Sequence, residues 1–185
     1  MSETFETVIS DPAEGGGDDD PEPPGRLHLD ILIEDGDWSA FAPVDEALRQ
    51  VADAVAQRLD IDAAEAAIAL SSDERVRALN RTYRGKDKPT NVLSFPAGEH
   101  AAPFGLRRHL GDVVLAAETV AREAAAEGTP PRHHLQHLAV HGLLHLLGYD
   151  HDTEPQAREM EALEAEILAQ IGVPDPYAAQ YSPES

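Results

Sequence analysis

The sequence predicts an α+β fold: a small mixed β-sheet of about four strands packed against helices, with a central apolar helix carrying a stripe of histidines. Two observations lead there. Short runs of strand character alternate along the chain with longer runs of helical period. Each run is also closed by a residue that stops it, among them Gly85, Pro96, Gly128, Gly148 and Pro174.

Residues 1–26 hold eight acids and one base and few large apolar groups. Such a segment buries too little surface to offset its chain entropy, so a disordered acidic tail is expected there. Order should begin at RLHLDILIE, where Leu27, Leu29, Ile31 and Ile33 alternate as in a half-buried strand. Pro43 opens a helix with apolar residues at 44, 48, 51, 55 and 59. EAAIALSS reads as a second strand, after which Ser72 caps the helix DERVRALNRTYR and Gly85 ends it. NVLSFP is a short strand closed by Pro96, Ala97 to Arg108 reads as a loop, and LGDVVLA is a further strand. The helix AAETVAREAAAE runs to Gly128, and Pro130 and Pro131 begin the histidine helix, which must end at Gly148. A last helix spans about Pro155 to Ile171 and is stopped by Pro174 and Pro176. One domain over 27–177 is expected, with a flexible tail at 178–185.

The hydrophobic share of 42% and charged share of 26% are ordinary for a globular chain. No apolar run reaches the roughly 18 residues that cross a bilayer, and the acidic N-terminus lacks a signal-peptide layout. A cytoplasmic protein without membrane partners is therefore expected. With no cysteine, any metal must be held by His, Asp or Glu. The formal charge of −21 argues at first sight against a nucleic-acid partner. Its distribution reverses that reading: six bases fall between Arg75 and Lys88, opposed only by Asp87. A basic island on an acidic molecule can steer an anion, although the same pattern also suits a solvated helix face that binds nothing.

Between 131 and 147, His134, His137, His141 and His145 form one helical stripe. Residues four apart lie about 5–6 Å apart at Cβ and can share an ion. Residues eight apart are separated by about 12 Å along the axis, too far for bonds of about 2.0–2.1 Å. The pair is thus 137/141 or 141/145, and a third ring decides. His151 follows Gly148, whose left-handed freedom lets the chain turn back toward the helix end it has just left. His141, His145 and His151 are the predicted ligands of one zinc ion, with an open position as in catalytic sites. His134 and His137 are expected at the mouth or in solvent. A closed structural site, with Asp150, Asp152 or Glu154 as fourth ligand, is the competing arrangement.

HxxxHxxGxxH is the metzincin peptidase spacing, but where those enzymes carry the Glu general base this chain has Gly142. The ligand cage is present and the base is not. A glycine inside a helix costs roughly 1 kcal/mol relative to alanine, so it should serve close packing or substrate access.

HGLLHLLGYDH, with YRGKDKPTNVLSFP upstream and LGDVVLA between them, resembles the YbeY family of rRNA maturation endoribonucleases. The likeness extends more loosely over about 27–177, through the EMEALEAEIL helix to the Asp-Pro-Tyr ending at Tyr177, and leaves out residues 1–26. It implies a zinc-dependent enzyme that cuts single-stranded RNA, matures the 3′ end of 16S rRNA and serves ribosome quality control at the small subunit. By motif position it assigns the zinc to His141, His145 and His151 and the arginine needed for activity to Arg84. A planar guanidinium is well matched to two phosphate oxygens, which suits Arg84 to holding the scissile phosphate. Its plainer alternatives are an ordinary surface cation and a structural ion pair with Asp87. Arg81, Lys86 and Lys88 are candidate contacts to the RNA backbone. Two other functions compete: a metallopeptidase with its base supplied elsewhere, and a non-catalytic, zinc-stabilised ribosome-assembly factor.

Overall fold

A computed structural model describes residues 27–98 and 108–178. The tail expected at 1–26, most of the loop expected after Ala97, and the C-terminal tail beyond Ala178 lie outside the described residues.

Among the described residues the sheet has four strands: β1 (Leu27–Ile33), β2 (Ala64–Ser71), β3 (Val92–Pro96) and β4 (Arg108–Ala116). Their spatial order is β1-β2-β4-β3, with β1/β2 and β2/β4 parallel and β3/β4 antiparallel. The mixed sheet read from the sequence is thus present. Five α-helices among the described residues accompany it: α1 (Val44–Leu59), α2 (Asp73–Arg84), α3 (Ala117–Glu127), α4 (Pro131–Leu146) and α5 (Glu154–Gln170). Ser72 caps α2 by accepting from the Arg75 amide, and Gly85 ends it in the left-handed conformation. Thr153 and Gln156 form a reciprocal capping box that starts α5.

Helix α4 has ten buried residues, and its apolar run packs on β3 and β4 as well as on α1, α3 and α5. The main core lies on this side of the sheet, where Leu29, Ile68, Val113 and Leu115 meet Leu135, Val140, Leu143 and Leu144. A short 3-10 turn over Ser39–Phe41, not evident from periodicity, adds Phe41 and the neighbouring Trp38 to that core. On the opposite side Val76 of α2 packs with Leu93, Val114 and Ala116 in a smaller cluster. Strand β3, at the sheet edge, therefore has α4 on one side and α2 on the other. That sandwich brings a residue of the basic island next to the histidine helix. Among the described residues no helix is long and apolar enough to cross a membrane.

Candidate metal centre

His141 and His145 stand one turn apart on α4, with ring centroids 4.7 Å apart. Gly148, at φ 102°, reverses the chain after the helix. The His151 ring then lies 5.5 Å from that of His141 and 4.9 Å from that of His145. One ligand nitrogen from each of the three sits within 4.8 Å of the others, and among the described residues no carboxylate belongs to that group. Asp150 instead accepts the backbone N–H of its neighbour His151 at 3.1 Å.

The surroundings of the rings suit them to a cation. The turn that returns His151 also brings the Tyr149 carbonyl to 3.0 Å from His145 Nδ1. A carbonyl only accepts, so His145 carries its proton on Nδ1 and leaves Nε2 as a free lone pair. His141 Nδ1 likewise lies 2.6 Å from a Glu164 carboxylate oxygen, which leaves Nε2 of His141 available. Burial first, and then the neighbouring His141 and His151 rings, lowers the His145 pKa and favours the neutral form a ligand needs. Burial alone would raise Glu164, but hydrogen bonds from His137, His141 and Tyr177 hold it down at about 2. This cluster of lone pairs fits zinc or a similar divalent ion.

Arg84 shares one cavity of about 620 Å³ with all three histidines. Its Nη2 donates to the Ser94 carbonyl at 2.8 Å, and its guanidinium lies 5.3 Å from the Phe95 ring centroid. Asp87, considered from sequence as a partner for Arg84, instead pairs with Arg77 at 2.8 Å and with Arg81 at 3.7 Å. Arg81, Lys86 and Lys88 are exposed and do not line the cavity.

Sequence reasoning missed Ser94, whose carbonyl holds Arg84 while its hydroxyl donates to the Gly142 carbonyl at 3.1 Å. One residue of β3 therefore ties the arginine to the histidine helix. The motif NVLSFP carried that signal only as a strand. Two histidines sit elsewhere than expected. His134 is buried and bonds Glu123 at 2.9 Å, and His137 bonds the buried Glu164 at 3.0 Å. The stripe faces α3 and α5 there, so those rings find carboxylates within the protein. The hint available in sequence was Glu164 itself, which falls on the apolar stripe of α5 between Leu163 and Ile167.

Gly142 is explained by packing. A Cβ there would lie 2.8 Å from Val113 Cγ1 and 3.3 Å from Ser94 Oγ, so the helix can approach the sheet only with glycine. Gly142→Ala should destabilise the protein by about 1–2 kcal/mol, because overpacking outweighs the gain in helix propensity of about 1 kcal/mol. Denaturant unfolding measures this, and an unchanged or raised midpoint would remove the packing explanation.

The chain is similar in sequence to known proteins. A family model described as Endoribonuclease YbeY matches residues 33–172. A protein of Rhodopseudomonas palustris (strain ATCC BAA-98 / CGA009) named Endoribonuclease YbeY is 50% identical over 158 residues, covering 84% of this chain and 83% of that protein. One of the same name from Azorhizobium caulinodans is 50% identical over 156 residues, covering 82% and 97%. The solution structure of TM1509 from Thermotoga maritima aligns with a TM-score of 0.49 at 22% identity, covering 85% of this chain and 96% of that one.

Proposed function

Because the chain belongs to the YbeY endoribonuclease family, we propose that it cuts single-stranded RNA in a metal-dependent reaction. Its place is the maturation of the 16S rRNA 3′ end and ribosome quality control, with the small ribosomal subunit as partner and the cytoplasm as compartment. The catalytic unit is the domain over 27–177, flanked by the acidic tail of 1–26 and the short tail of 178–185. One zinc ion per chain is its cofactor, held by His141, His145 and His151.

The observation that carries this reading is the single cavity lined by Arg84 and the three histidines. Arg84 has five N–H donors and spends one on the Ser94 carbonyl, which fixes the side chain and leaves the others for phosphate oxygens. A guanidinium already in place costs little reorganisation as charge builds on those oxygens. When bound, zinc supplies a Lewis acid that works at neutral pH without a carboxylate base. The chain needs no glutamate at 142, and Val113 leaves no room for one. The exposed bases Arg81, Lys86 and Lys88 contact the RNA backbone in this reading.

The test is a cleavage assay on single-stranded RNA with metal-stripped full-length protein. Cleavage is expected to be absent with chelator and restored by added zinc. Intact RNA in the presence of folded, zinc-loaded protein contradicts the proposal. Peptide release from an unfolded protein substrate would point to the peptidase instead.

A further inference from the structure

Glu164 is 1% exposed, yet its carboxylate takes three hydrogen bonds from two other parts of the chain. His141 Nδ1 meets one oxygen at 2.6 Å, while His137 Nε2 at 3.0 Å and the Tyr177 hydroxyl at 2.5 Å both donate to the other. The His137 and Tyr177 rings meet edge-on with centroids 5.4 Å apart, and His137 Nε2 is 3.1 Å from the Tyr177 oxygen. As a stabilising device this is poor, since well-packed apolar groups commonly serve as well as buried ionic ones. Its value is directional.

We propose that Glu164 is a positioning residue for the metal centre and that the Asp-Pro-Tyr segment at 175–177 is the clasp completing it. His137 and Tyr177 hold one carboxylate oxygen. The other oxygen is thereby aimed at His141, fixing that ring with its proton on Nδ1 and its Nε2 lone pair toward the ligand cluster. This rests on reading His141 as a metal ligand. The clasp is itself built into the fold. Buried Val173 anchors the segment, its amide donating to the Leu168 carbonyl at 3.0 Å. The Tyr177 amide then donates to the Asp175 carboxylate at 2.8 Å, which sets the turn that points the phenol inward. A carboxylate only accepts, so all three donors have their direction imposed. An imidazole without such a partner exchanges tautomers and rotates, and outer-shell partners of this kind are worth about 10–100-fold in metal affinity.

The experiment measures zinc affinity of the full-length chain by competition with a chromogenic chelator. Long-range proton–nitrogen spectra of the metal-free protein read the His141 tautomer alongside. Glu164→Gln keeps the volume, but an amide that turns its oxygen to His141 sets its NH₂ against the donors of His137 and Tyr177. Zinc affinity is expected to fall by about 10–100-fold and His141 to lose its single Nδ1–H form. Tyr177→Phe removes one hydroxyl and should lower affinity roughly threefold to tenfold. Should Glu164→Gln fail to fold, the tyrosine variant decides by the same readouts. Parental affinity with a parental tautomer in the variants that fold overturns the proposal while leaving the three-histidine site intact. Parental affinity in a His141→Ala control would instead overturn the ligand reading, and this inference with it.

Discussion

His145→Ala is expected to abolish stoichiometric zinc binding and to lower RNA cleavage by at least about 10³-fold, because the reaction depends on the ion. Catalytic zinc sites keep three protein ligands, and no carboxylate among the described residues stands in the group to replace a lost one. The neutral form and free Nε2 of His145 are secured by partial burial and by the Tyr149 carbonyl. The fold should survive the change. Among the described residues the ring makes one hydrogen bond, to the Tyr149 carbonyl, and such bonds contribute about 0.5–1.5 kcal/mol net. Elemental analysis, circular dichroism and the cleavage assay on one preparation check all three statements. A folded variant that holds zinc and cuts RNA at the parental rate would refute the ligand set.

Arg84→Ala should behave differently, keeping the metal and losing roughly 10²–10³-fold in cleavage rate, the usual scale for one charge-stabilising donor at a reacting centre. The side chain is exposed, and its hydrogen bond to Ser94 and its contact with Phe95 together contribute only about 1–2 kcal/mol to stability. Lysine should not rescue it. A single ammonium cannot bond the Ser94 carbonyl and present a planar fork to phosphate at once. Zinc affinity and cleavage rate measured side by side separate this variant from the histidine variant. Loss of zinc from Arg84→Ala, or full activity in it, would contradict the role given to Arg84.

How much of this was legible in the sequence depended on separation along the chain. The 141/145 pair and the return of His151 follow from local geometry: one helical turn, then a glycine free to adopt positive φ. Strand and helix alternation was equally local, and the nine main elements lie where periodicity and caps put them. Strand order was not local. That β4 inserts between β2 and β3 could not be read from period alone, and this insertion puts β3 at the edge, where Ser94 joins Arg84 to α4. His137 was misread for the same reason, because its partner Glu164 lies 27 residues on and meets it only once α5 has packed across α4. Gly142 fell between the two cases. Its cost in a helix was visible, but only the tertiary contact with Val113 chooses packing over access.

The most direct test is anomalous diffraction at the zinc edge from crystals of the full-length protein grown with zinc. The predicted result is a single peak about 2.0–2.1 Å from one nitrogen each of His141, His145 and His151. No further protein ligand should touch it, and its open side should face the cavity that holds Arg84. A fourth side chain closing the coordination sphere, or an ion bound away from these rings, would contradict the account.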